Sequence, residues 1–139
     1  MLVVDASAVG ELLLGRPAGE AVGREMRRAE FDLHAPHLID VEVLSALRRL
    51  VASGDATPAR AGEAVADFLN LPIERHRHDV LAPRLWELRE NLTAYDAVYV
   101  ALAEAITDRG APFLTGDVRV ARAATAHTEL HVMLATPSG

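Results

Sequence analysis

The 139 residues include no cysteine and no lysine. The first absence excludes a disulfide framework, a thiolate zinc site and a cysteine nucleophile. The second leaves all 14 basic residues as arginine, a side chain whose planar fork suits phosphate contacts. Aromatic residues are scarce, at 4%. No apolar run approaches the roughly 18 residues of a membrane span, and no basic segment precedes the first apolar stretch. A cytoplasmic protein is the expectation, with the Asn91-Leu92-Thr93 sequon incidental. Positive charge is also in deficit: 14 Arg against 20 Asp and Glu leave a net charge of −6. Proteins that hold nucleic acid through bulk charge look basic. A nucleic-acid role here therefore requires local arginines or bound metal.

What is present reads as a single domain over residues 1–139, half of it hydrophobic, long enough to bury a core without staples. There is no internal repeat and no linker. Leu2-Val3-Val4 has the character of a buried strand ending at Asp5. Helices are expected over 6–14, 20–30, 37–53, from Pro58 to about 69, over 80–91, from a Thr93 cap to about 107, and over 118–126. Strands are expected over 31–35, 73–76, 112–115 and 131–134. Strands alternating with helices imply a mostly parallel sheet covered on both faces, a three-layer α/β/α sandwich.

Chemistry in such a sheet belongs at the carboxyl ends of the strands. Asp5 closes the first strand, and Asp117 follows Thr115 by two residues. Each could equally cap the next helix. Asp96 lies three residues after Thr93, in a capping-box position, at the mouth of a helix whose residues 97–103 are all apolar. Glu42 sits at the border of the apolar face of the long helix. Together the four could converge above the strand ends. Carboxylates so crowded raise one another's pKa values unless cations neutralise them. Oxygen donors without His or Cys select Mg²⁺ or Mn²⁺, and the expected chemistry is metal-assisted attack of water on a phosphodiester.

Four segments carry a family resemblance: residues 3–8 (VVDASA), 40–47 (DVEVLSAL), 92–103 (LTAYDAVYVALA) and 113–117 (FLTGD). In order and spacing the chain resembles the PIN-domain ribonucleases, and among them the VapC-type toxins of toxin–antitoxin pairs. The resemblance implies that Asp5, Glu42, Asp96 and Asp117 are the catalytic, metal-binding quartet. It implies that Ser7 and Thr115 are hydroxyl partners orienting a carboxylate or a coordinated water. The implied reaction is Mg²⁺- or Mn²⁺-dependent endonucleolytic cleavage of single-stranded RNA. The implied partners are a cognate antitoxin, whose tail fills an apolar groove and places an Arg in the acidic site, and a second copy in a homodimer. Val118-Arg119-Val120 follows Asp117 without the fifth acid sometimes present in the family, which puts a second metal in question.

Two other readings remain open at this level. A phosphatase of the haloacid-dehalogenase kind wants a second Asp where Ser7 stands, and a receiver wants a Lys that this chain lacks. A non-catalytic module sharing only the fold is the third. Of the arginines, Arg24, Arg27, Arg28, Arg48, Arg119 and Arg122 read as solvated surface, while Arg49 shares the Glu42 face and is the candidate RNA contact. His76 and His78 alternate along a strand and read as a surface pair, zinc being set aside for want of a third ligand. His34, His37, His127 and His131 show no usable pattern. Tyr95 and Tyr99 read as packing residues, and Trp86 as a core or dimer-interface anchor.

Overall fold

Short apolar segments separated by capped helices leave the chain one economical arrangement: strands buried side by side, helices over them. A computed structural model describes residues 1–137 in this form. The order is β1 (Leu2–Val4), α1 (Ala6–Leu13), α2 (Gly19–Arg28), β2 (Leu33–Pro36), α3 (Leu38–Ser53), α4 (Pro58–Asn70) and β3 (Ile73–His76). A 3-10 turn at Asp79–Leu81 then leads to α5 (Ala82–Glu87), α6 (Ala94–Ala105), β4 (Phe113–Thr115), α7 (Val118–His127) and β5 (Val132–Leu134).

The five strands pair in parallel in the order β3-β2-β1-β4-β5. The chain builds outward from β1 to β3 on one side, then returns to place β4 on the other side of β1. Strand order reverses between β1 and β4, the position where an open parallel sheet forms a crevice at its carboxyl edge. Helices α1 to α4 pack against one another, and α5 packs against α6. Helix α6 also contacts β1, β2 and β4, and α7 contacts β4 and β5. The result is the three-layer α/β/α sandwich expected. Phe68, Phe113, Met26, Leu33 and Ile39 are fully enclosed, each such burial contributing about 1.5–3 kcal/mol relative to exposure.

Several elements differ from expectation for identifiable reasons. Strand β2 begins at Leu33, because Glu30 and Phe31 take positive φ values of 54° and 56° in the turn that ends α2. The helix expected over 80–91 is a 3-10 turn plus the short α5, with Pro83 in its first turn. The chain turns after it so that Leu88 and Leu92 both enter the core. In α3 only Ile39, Val43 and Leu47 are buried, a narrower stripe than the apolar pattern suggests. Leu44 and Val51 instead border an open groove with Pro58, Ala61 and Val65 of α4. Trp86 is not in the core: it is 69% exposed, with the Arg89 guanidinium over its ring. Tyr95 is likewise exposed, in the first turn of α6 ahead of the buried stretch. Residues 97–103 of α6 are all buried, as their composition requires.

Gly110 redirects the chain from α6 to β4 at φ 73°. A Cβ there would come 2.9 Å from Leu130 Cδ2 and 3.3 Å from the Ala103 carbonyl. Gly110→Ala is expected to destabilise the fold by about 1–2 kcal/mol, the usual penalty of a left-handed residue carrying a side chain, measurable by urea unfolding.

Candidate active site

Helix α1 starts at Asp5 because its carboxylate caps it: Oδ1 accepts from the Ala8 amide at 2.9 Å. Helix α7 starts at Asp117 in the same way, Oδ1 accepting from the Arg119 amide at 2.8 Å and the Val120 amide at 3.4 Å. Helix α6 is capped by Thr93, whose hydroxyl oxygen accepts from the Asp96 amide at 3.3 Å. Three helix N-termini therefore meet at the carboxyl ends of β1 and β4, each carrying an acid in or beside its first turn. The positive ends of the helix dipoles offset part of that negative charge. Capping and clustering are compatible here, and the same carboxylates do both.

Asp5, Glu42, Asp96 and Asp117 line one open cleft of about 300 Å³, together with Ser7, Arg49 and Tyr99. Asp5 is the deepest of the four, 6% exposed. Ser7 donates its hydroxyl to Asp5 Oδ1 at 2.6 Å, and the Thr115 hydroxyl donates to Oδ2. Both hydroxyls are fixed in turn by backbone amides, Gly116 N–H on Ser7 Oγ at 2.8 Å and Asp117 N–H on Thr115 Oγ1 at 3.1 Å. Gly116 passes so near Ser7 that a Cβ would meet its backbone and hydroxyl at 3.3 Å. Glu42 reaches the cleft from α3, where the Tyr99 hydroxyl donates to Oε1 at 2.6 Å.

Burial pushes the carboxyl of Asp5 above its ordinary range, against the hydrogen bonds from Ser7 and Thr115, and Asp117 adds to the rise. Burial likewise raises Glu42, helped by Asp5 and Asp96 and opposed by the Tyr99 hydrogen bond and Arg49. Asp96 is raised by burial and then by Asp117, and eased by Thr93 and Arg119. The repulsion thus runs in a closed ring from Asp5 to Glu42, Asp96, Asp117 and back. Oxygen donors that repel one another in this way fit a hard divalent ion such as Mg²⁺ or Mn²⁺. The quartet is spread rather than clenched. Among the described residues, the group of three acid or His side chains with ligand atoms all within 4.8 Å of one another lies elsewhere. An open set matches a magnesium ion that keeps several waters and takes few carboxylates directly.

Sequence reasoning missed the Tyr99 contact, reading that residue as packing. Its ring does stack on Phe113, with centroids 6.5 Å apart, so its position one turn beyond Asp96 signals only half of its role. Arg49 stands on the cleft wall as its helix face suggests. Arg119, read as solvated, also pairs with Asp117 at 3.4 Å. The supposed pair of His76 and His78 divides: His76 contacts His34, and His78 accepts from the Leu38 amide at 3.0 Å.

Residues 2–126 match the model of the PIN domain. Ribonuclease VapC12 of Mycobacterium tuberculosis is 38% identical over 133 residues, covering 96% of this chain and 99% of its own. Ribonuclease VapC1 of the same organism is 43% identical over 125 residues, covering 87% and 89%. The crystal structure of PAE2754 from Pyrobaculum aerophilum superposes with a TM-score of 0.69 at 24% identity, over 94% of this chain and 81% of that one, which speaks to the fold alone.

Two measurements test this electrostatic picture. A carboxyl raised in the folded state binds its proton more tightly there than when unfolded, so it lowers stability as pH rises through the native value. Metal-free Asp5→Asn should therefore melt no lower than the parent at about pH 8. The parent should gain on it as pH falls toward the roughly 4 of an ordinary carboxylate. Tyr99→Phe keeps the ring and removes the hydroxyl that holds Glu42. It should weaken divalent-ion affinity by roughly tenfold, the usual effect of losing a group that orients a ligand, with little change in melting temperature.

Proposed function

The chain belongs to the PIN-domain family, and on that premise we propose that it is an endoribonuclease, the toxin of a toxin–antitoxin pair, which cleaves single-stranded RNA with Mg²⁺ or Mn²⁺. The observation that carries the reading is the ring of four acids, drawn from four separate segments into one cleft at the strand-order reversal. Its relatives named as VapC ribonucleases match it over nearly their full length.

Asp5, Glu42, Asp96 and Asp117 hold the divalent ion in this reading. When bound, such an ion supplies positive charge to the phosphate and lowers the pKa of coordinated water. The chain's own residues do the rest. Ser7 and Thr115 spend their hydroxyl protons on Asp5 and keep its two oxygens oriented. Tyr99 keeps Glu42 turned into the cleft. Arg49, on the exposed wall, takes a substrate phosphate by a charge-assisted contact, which supplies local attraction that the net charge of −6 withholds. The cleft is open rather than a closed pocket, as an extended strand requires, and single strands offer unstacked bases and a backbone free to bend into it.

A cognate antitoxin is the expected protein partner. The apolar groove between α3 and α4, bordered by Leu44, Leu47, Val51, Pro58, Ala61 and Val65, suits the apolar face of such a tail. From there a basic side chain can reach the acidic cleft along α3. A homodimer is also proposed, with the exposed Trp86 and Tyr95 as candidate contacts, since large rigid aromatics are enriched at interfaces. The place of action proposed is the cytoplasm, where the RNA is.

The test is digestion of a single-stranded RNA by the purified chain with Mg²⁺, with Mn²⁺ and with excess chelator. Cleavage should need the metal and should fall by roughly a hundredfold or more in Asp5→Asn and Asp96→Asn. Arg49→Ala should raise KM more than it lowers kcat. Cleavage that persists in excess chelator sinks the metal-dependent reading. No cleavage of any RNA by a metal-binding protein would favour the non-catalytic module.

A further inference from the structure

We propose that His34, Glu74 and His76 form a second metal site, separate from the acidic cleft, that takes Zn²⁺ or a similar imidazole-preferring ion. The site follows from strand register. In the parallel pair β2–β3, His34 lies opposite Glu74 and Pro36 opposite His76. Opposed residues share a face of the sheet, as do residues two apart on one strand, so all three side chains emerge on the same side. His34 Nδ1 is 2.9 Å from His76 Nε2 and 3.4 Å from Glu74 Oε2. One donor atom from each lies within 4.8 Å of the other two. Ligands about 2.0–2.1 Å from a tetrahedral zinc stand roughly 3.3 Å apart, which those two separations bracket.

A second observation points the same way. His34 Nε2 lies 2.7 Å from Asp32 Oδ1, and the Asp32 side chain stands exposed to solvent. An ionised carboxylate accepts, so Nε2 carries the His34 proton and Nδ1 turns a bare lone pair toward Glu74 and His76. Carboxylate, histidine and vacant donor in this sequence is the arrangement by which proteins orient a metal-ligating imidazole. The lone pair and the Glu74 carboxylate are both acceptors and need a positive or proton-bearing group between them. Without metal, His76 Nε2–H serves one of them. With metal, the cation takes that place and the His76 ring proton moves to Nδ1, so no proton is lost. Two imidazoles and one carboxylate favour zinc-like ions over magnesium. His34 is buried, whereas Glu74 is exposed and His76 partly so, which leaves a way in. An ion held there would clamp the edge strand β3 to β2.

The test uses the untagged chain in an Asp5→Asn background, stripped with chelator, so that the acidic cleft does not compete. Zn²⁺ is titrated against a coloured zinc chelator and Co²⁺ is followed by its visible absorption. Expected are stoichiometric binding at micromolar metal, intense tetrahedral-type cobalt bands, and a higher melting temperature with Zn²⁺. Binding should be lost in His76→Ala and in Glu74→Gln, the latter altering an exposed side chain that the fold does not need. Asp32→Asn should weaken it by roughly tenfold or more, and His78→Ala should leave it unchanged. The proposal is overturned if micromolar zinc does not bind, if Glu74→Gln and His76→Ala bind as tightly as the parent, or if His78→Ala removes the site equally.

Discussion

Everything at the carboxyl edge of this sheet is arranged around one buried carboxylate. Asp5 leaves water to end β1, and an ionised group so placed is tolerated only if its oxygens are saturated. An amide and two hydroxyls do this: Ala8 and Ser7 on one oxygen, Thr115 on the other. Because Thr115 comes from β4 and Ser7 from α1, satisfying Asp5 ties the two central strands together at the point where the order reverses. The close passage of Gly116 past Ser7 is part of the same closure. A residue that is costly to bury thus becomes a clasp, and the repulsion it exerts on Glu42 and Asp117 is what prepares the cleft for cations.

The capping role of Asp5 and Asp117 makes them hard to move independently of the fold. Each begins a helix that packs beside the central strands, so backbone and site share one set of hydrogen bonds. Glu42 is different. It stands in the second turn of a long helix and depends on a side chain from α6, Tyr99, for its direction. That bond spans 57 residues and joins α3 to α6, placing the quartet's most mobile type of acid under control of the most deeply buried helix.

The parts legible in the sequence are those written locally. Alternation of strands and helices, the Thr57 and Thr93 caps, the wholly apolar stretch of α6 and the four acids each leave a mark within a few residues. Strand order rests on long-range packing and leaves no local mark, so the convergence of the acids is raised from the strand-end rule only as one reading, which the family resemblance then favours. Tyr99 is invisible for the same reason: nothing near it in the chain announces Glu42. Trp86 and Leu44 mislead in the opposite direction, because an apolar side chain implies burial only where the surrounding surface is covered. His34 is the clearest case. Its partners Glu74 and His76 are 40 and 42 residues away, and only the parallel register of β2 on β3 brings them opposite.

That register also bears on how the chain keeps two cation preferences apart. The imidazole cluster is carried by β2 and β3, whereas the acids gather past the carboxyl ends of β1 and β4. The cleft offers oxygen alone, dispersed, and rewards a hard ion that arrives with its waters. The cluster offers nitrogen and one carboxylate, contracted, and rewards an ion willing to shed them. Geometry and donor type thus reinforce each other at both places. A zinc-like ion in the cleft would lack nitrogen ligands, and magnesium at the cluster would find one carboxylate and two nitrogens. With no cysteine in the chain, no thiolate is available to blur that division.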